Sequence, residues 1–259
     1  MTQTDASFDI GLGVALLAAS AAAYAPPAAA TVAVSEATDT HVMMGNCGPD
    51  GTLAFRGTVD WKNWRTDLDC EKVAWDAVHP ECKVHRGFLT AWLAVRDQVR
   101  DWVEKAGPAT RAIYLTGHSL GGALAMLAAA DMRTWPGVQM RGCYTFGQPR
   151  VGGAAFRDFY NATLRSRTFR VVHADDVVPR IPWLLGAYRH AGTEVFFPSF
   201  GTAPLVNPPW WLKAPSDLIG VWREGRAAWR EDHAVQAYVR ALARAPGAET
   251  PISTARARV

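Results

Sequence analysis

One stretch constrains the fold of this chain more than any other: Gly117-His118-Ser119-Leu120-Gly121-Gly122. Ahead of it, Ala112, Ile113, Tyr114, Leu115 and Thr116 form a short apolar, partly β-branched run between Pro108 and Gly117, which predicts a buried strand. Behind it, Ala123, Leu124, Met126, Leu127 and Ala128 continue at helical density until Trp135-Pro136-Gly137 stops them. A serine between glycines at a strand-to-helix corner is a nucleophile elbow. The turn is so tight that side chains two residues either side of the serine would strike the neighbouring strand and helix, so Gly117 and Gly121 carry none. The serine is then held in a strained backbone conformation with its hydroxyl above the sheet. The helix N-terminus beneath it offers N–H groups and partial positive charge to a developing oxyanion. The competing reading, a glycine-rich turn into a packing helix, accounts for the glycines but not for the serine between them.

Composition bounds the rest. At 259 residues, 49% of them apolar, the chain can bury one substantial core. Lys and Arg number 27 against 24 Asp and Glu, a net charge of +3, and no basic run interleaves with aromatics, so nucleic acid is not an expected partner. No uninterrupted apolar segment reaches membrane-spanning length. Ile10 to Ala25 is apolar and ends in Ala23-Tyr24-Ala25, like a leader cleavage site, but Asp5 and Asp9 precede it with no Lys or Arg. It reads instead as an alanine-rich packing helix from Phe8 to Tyr24, stopped by Pro26-Pro27, and the compartment stays open.

From there strands and helices alternate. Thr52 to Phe55 reads as a strand feeding Arg56-Gly57-Thr58, followed by Val59 to Leu68 and a polar stretch to His85. Phe88, Trp92, Val95, Val99 and Trp102 recur at helical spacing up to Gly107-Pro108. Cys143 to Phe146, Phe169 to Ala174 and Glu194 to Phe197 read as later strands, and Val235, Tyr238, Val239 and Leu242 as a last helix beginning near His233. This order predicts an α/β fold with a mostly parallel central sheet and helices on both faces. One domain is expected over 1–245, with 246–259 a mobile tail.

A serine nucleophile needs a base, and the base an orienting acid, in the chain order Ser, Asp, His for an α/β-hydrolase. Of seven histidines, only His190 and His233 follow the last acidic strand end. His190 precedes a strand and reads as structural; His233 enters a helix from a loop and can reach across the sheet's edge, while Asp232 beside it suits a helix cap. His118 lies within the elbow and cannot reach the Ser119 hydroxyl in good geometry; His41, His79, His85 and His173 read as ordinary loop or core residues. For the acid, Asp175 and Asp176 both stand at a strand end, and the residues alone leave the two open. No His/Cys/Asp spacing suggests a metal, and the chemistry needs no organic cofactor. Cys143 reads as a buried free thiol, and Cys70 and Cys82 bracket one polar segment where a local disulfide is expected if the protein is exported.

Together these residues resemble the class 3 lipase family, the fungal-lipase-like α/β-hydrolases. The marks run from about Ala19 to about Leu242: Phe55-Arg56-Gly57-Thr58, Asp60 to Leu68, Val84 to Phe88, Thr116 to Gly122, Tyr144 to Val151, Asp176 to Pro182, and Asp232-His233 with Tyr238. Ala18 to Tyr24 is similar to the family's first helix. Departures are Gly152-Gly153, where the family more often has Gly-Asn, and an unusually tryptophan-rich Pro198 to Trp229.

The resemblance implies a lipid-ester hydrolase with Ser119 as nucleophile, His233 as base and Asp176 as acid, and backbone donors at Thr58 and Leu120 as the oxyanion hole. Esterase or phospholipase A1 activity would use the same set; an acyltransferase or a non-catalytic lipid-binding protein are readings of other classes. Trp61 and Trp64, three apart among charged residues, fall on one face of a short helix at the position of the family's lid. With Trp210 and Trp211 they are the expected lid or acyl-site residues, facing a lipid–water interface.

Overall fold

The computed structural model describes residues 7–57, 71–105, 112–173, 176–182, 187–198, 202–209, 211–213 and 233–246. Ten strands fall within them: β1 (Thr31–Ser35), β2 (Thr40–Cys47), β3 (Asp50–Phe55), β4 (Lys72–Ala74), β5 (Lys83–His85), β6 (Ala112–His118), β7 (Gln139–Phe146), β8 (Thr168–His173), β9 (Thr193–Phe197) and β10 (Leu205–Val206). Five α-helices accompany them: α1 (Ile10–Ala22), α2 (Arg86–Lys105), α3 (Leu120–Met132), α4 (Ala154–Leu164) and α5 (Val235–Ala243). Eight strands form one sheet in the order β1-β2-β3-β6-β7-β8-β9-β10, and β4 and β5 pair separately. The run β3-β6-β7-β8-β9 is parallel, while β1, β2 and β10 add antiparallel edges.

Alternation along the central strands sends side chains to two cores. Leu53, Phe55, Ile113, Leu115 and Cys143 pack beneath α2, α3 and α4 with Phe88, Trp92, Val95, Leu124, Leu127, Phe156 and Tyr160. Tyr144, Phe146, Phe169, Val171, Val195 and Phe197 pack beneath α1 and α5 with Leu16, Leu17, Tyr238 and Leu242. Helices therefore cover both faces, as a mostly parallel sheet requires. Every residue of α3 after Leu120 is buried, which explains its Ala-rich sequence with no polar face. At the far end of α3 the buried Asp131 accepts from Trp92 Nε1 at 2.9 Å and from Arg96 Nε at 2.6 Å, clamping α2 to the elbow helix.

The expected first helix forms over Ile10–Ala22, with Asp9 accepting from Leu12 N–H as its cap and Thr116 Oγ1 donating to Leu16 O at 3.0 Å to hold it to β6. Several elements were not expected. β1, at the sheet edge, and β2 beside it are half-buried strands carrying polar and glycine residues, and α4 carries the short stripe Phe156, Tyr160, Leu164. The polar stretch before His85 contains the β4–β5 pair. Of the Cys70–Cys82 pair, whose bridging the sequence left open, Cys82 is a free, buried thiol, pushed up to about 11 by burial and by the neighbouring Glu81 charge. Cys143 is the buried free thiol expected, its pKa pushed up to about 12 by burial. Cys70 and the tail beyond 246 lie outside the described residues.

Candidate active site

Ser119 sits between β6 and α3 with φ 57° and ψ −128°, a left-handed backbone that a non-glycine residue rarely adopts. Its N–H donates to Phe146 O at 2.9 Å, which fixes the elbow to β7. A Cβ on Gly117 would overlap the backbone of Gly121, and one on Gly121 would overlap Phe55 O. The two glycines are thus demanded by close approach. Leu120, the residue after Ser119, is the first of α3.

Three side chains from three parts of the chain converge there. His233 Nε2 lies 2.9 Å from Ser119 Oγ, and His233 Nδ1 lies 2.9 Å and 3.1 Å from Asp176 Oδ2 and Oδ1. A carboxylate accepts, so Nδ1 carries the ring proton and Nε2 is left to receive the serine's. Asp176 is 1% exposed. Burial pushes its carboxyl up, but the charge and hydrogen bond of His233, the Tyr238 hydroxyl and the Val178 N–H together outweigh burial and hold it below the ordinary carboxylate value. The Val178 N–H contact is 2.9 Å, and Tyr238 donates to Oδ2.

Gly147, at the end of β7, floors this arrangement. It has φ 61°, and a Cβ there would lie 2.8 Å from Asp176 Oδ2, 3.0 Å from the Tyr238 oxygen and 3.1 Å from His233 Cε1. Neither Gly147 nor the hydroxyl of Tyr238 was singled out as part of the site from sequence. From sequence, Tyr238 was read as a mark of the family resemblance beside Asp232-His233 and as an apolar position of the last helix.

Other expectations divide. His190 is structural as expected: its ring nitrogen Nε2 lies 2.6 Å from Pro179 O. His118 does not bond the Ser119 hydroxyl; its Nε2 lies 2.6 Å from His233 O and its Nδ1 2.9 Å from the Tyr24 hydroxyl. Trp211 is 58% exposed beyond β10, which is four strands from β6, or roughly 19 Å at ordinary strand spacing. It does not join the side chains that meet at Ser119. Thr58, Trp61, Trp64, Trp210, Asp175 and Asp232 lie outside the described residues.

The family model described as lipase (class 3) matches residues 52–185, just over half of the chain. The chain belongs to the class 3 lipase family. Within the class 3 lipases it is 37% identical over 156 residues to secreted mono- and diacylglycerol lipase 1 of Fusarium solani, covering 60% of this chain and 46% of that one. A lipase structure from Rhizopus microsporus var. chinensis superposes with a TM-score of 0.62 at 25% identity, covering 77% of this chain and 85% of that one. A triacylglycerol lipase whose catalytic centre is a serine protease triad superposes with a TM-score of 0.60 at 27% identity, covering 71% and 77%. The chain spans about half the length of the curated relatives it first matches. The α/β-hydrolase fold expected from sequence is the fold of these structures.

Proposed function

We propose that this class 3 lipase is a serine carboxylic-ester hydrolase acting on lipid esters through Ser119, His233 and Asp176. The observation that carries the reading is the unbroken hydrogen-bonded line from Ser119 Oγ through both nitrogens of His233 to Asp176. His233 takes the proton as Ser119 attacks the ester carbonyl, then returns it to the leaving alcohol; water repeats the sequence on the acyl-enzyme. Asp176 holds the Nδ1–H tautomer and stabilises the imidazolium. Leu120 N–H, at the start of α3, is the proposed donor to the oxyanion, joined on sequence grounds by Thr58.

Ser119 and His233 are only 4% and 6% exposed, as befits a recessed site. This favours a covered cleft, and Trp61 and Trp64 are the proposed lipid-facing residues by sequence. On and just beyond β10, Val206, Trp211 and Leu212 are exposed at 57%, 58% and 45%, further apolar side chains suited to a lipid–water interface. Among the described residues no helix is long and apolar enough to cross a membrane. Given the Fusarium relative, mono- and diacylglycerols are the first substrates to test.

A fluorophosphonate should label Ser119 alone, and Ser119→Ala should abolish turnover of a p-nitrophenyl ester with the fold intact. Label on another serine, or full activity in the variant, would overturn the reading.

A further inference from the structure

Tyr24 stands just past the end of α1, and its hydroxyl lies 2.9 Å from His118 Nδ1. His118 Nε2 lies 2.6 Å from the backbone oxygen of His233. A carbonyl only accepts, so Nε2 must carry the ring proton; a neutral imidazole has one proton, so Nδ1 is bare and accepts from Tyr24. The Tyr24 hydroxyl in turn stands against Gly57, whose missing side chain lets it approach. Hydrogen bonds therefore run one way, from the Tyr24 phenol through the imidazole to the main chain of His233.

We propose that His118 is a positioning residue for ester hydrolysis: locked as the neutral Nε2–H tautomer, it ties the main chain of His233 to Tyr24, whose hydroxyl stands against Gly57 at the exit of β3. The proposal rests on the triad reading above. The base is then held in register with the elbow that carries Ser119. The neighbouring rings are kept in opposite tautomers by their partners, Nε2–H on His118 and Nδ1–H on His233.

The environment keeps the lock closed. The rings of His118 and His233 are 4.7 Å apart, so a second protonatable imidazole there would compete for the serine proton and repel the imidazolium. The titratable groups facing His118 are Tyr24 from the exit of α1, Asp176 from beyond β8, and His233 and Tyr238 from the last segment, with Arg56 beside Tyr24. Burial first, and then the His233 charge, lower His118 to about 3, against the opposing pull of the His233 carbonyl and Asp176. His118 thus stays neutral while His233 takes a proton.

Tyr24→Phe keeps the ring but removes the donor to Nδ1. With a soluble short-chain p-nitrophenyl ester, kcat should fall about 10- to 100-fold with KM little changed, and the rate of fluorophosphonate labelling should fall with it. His118→Gln, which keeps an N–H for the His233 carbonyl, should retain more activity than His118→Leu. In wild-type protein, ¹⁵N-histidine spectra should show His118 with Nε2 protonated and Nδ1 bare, unchanged from pH 8 to pH 5. A His118 that titrates near its ordinary value, or carries the proton on Nδ1, overturns the relay, as does an active wild type whose kinetics Tyr24→Phe leaves unchanged. A wild type inert to fluorophosphonate and esters overturns the hydrolase reading instead, and the nitrogen spectra still decide the tautomer.

Discussion

The Tyr238 hydroxyl donates to Asp176 Oδ2, the same carboxylate oxygen that lies 2.9 Å from His233 Nδ1. The residue that enters α5 and a residue inside it therefore grip one oxygen, and the helix sets the angle at which the imidazole meets the carboxylate. Asp176→Asn keeps the shape but presents an amide that favours the wrong imidazole tautomer, so kcat should fall by about 10⁴-fold. Tyr238→Phe leaves His233 and the Val178 N–H on the carboxylate. It should cost about 1.5–3 kcal/mol of stability, the worth of a hydrogen bond to a charged group, and far less kcat than Asp176→Asn. Steady-state kinetics and urea unfolding of the two variants separate orientation from packing; equal losses of kcat would show that Tyr238 sets the tautomer as strongly as Asp176 does.

Gly147 yields a second expectation. Alanine there must adopt a left-handed backbone and place a methyl against Asp176, Tyr238 and His233 at once. Backbone strain alone costs about 1–3 kcal/mol. Displacement of the imidazole should lower kcat by about 10²-fold, since shifts near 1 Å carry that penalty. A variant with normal kcat and only lowered stability would show that the site relaxes around the methyl.

Much of this arrangement was legible in the chain. The elbow was readable because close packing leaves so few residue types possible at positions 117 and 121. The overlap that any added methyl would make with Gly121 and Phe55 is that constraint in physical form. The long stripe of α2 and the buried run of β6 were equally direct. Strands β1 and β2 were not, because one face of each is partly exposed and their polar and glycine residues resemble loop. The choice of Asp176 came from family resemblance, since strand alternation leaves adjacent carboxylates symmetrical until the loop beyond β8 is folded. Tyr24 and His118 were invisible as partners because their contact joins the first helix to the elbow, a pairing no local pattern encodes.

The clamp between α2 and α3 separates stability from chemistry. Asp131→Ala removes the acceptor for Trp92 Nε1 and Arg96 from a site that is 2% exposed. Arg96 retains access to water, so the loss should be about 2–3 kcal/mol rather than the larger penalty of a fully stranded charge. Assayed well below its lowered Tm, the variant should keep wild-type kcat. A fall in kcat at full folding would mean that the clamp reaches the elbow through α3.

Acid should unfold this protein earlier than its carboxylates alone would. Burial lowers His85 to about 4 and His118 to about 3, and it lowers His173 and His190 in the same direction. In the unfolded chain these rings take protons near pH 6.5, whereas in the folded protein His85 and His118 stay neutral to much lower pH. Between those limits the unfolded state binds more protons, so stability must fall as pH falls. The decline begins near pH 6.5, and for His85 it levels off near pH 4. Each such histidine contributes a slope of up to about 1.4 kcal/mol per pH unit. Asp176 acts lower down: its depressed value contributes stability above the ordinary carboxylate range and loses it as pH falls through the folded value. Urea unfolding at pH 7.5, 6.5, 6 and 5.5 should therefore show steadily falling stability above the range in which ordinary carboxylates titrate. His85→Asn, whose Oδ1 can still accept the Phe88 N–H now held at 3.3 Å by His85 Nδ1, should reduce the slope by about one histidine's share. Constant stability from pH 7.5 to pH 5.5 would show that these rings bind protons in the folded protein as readily as in the unfolded chain.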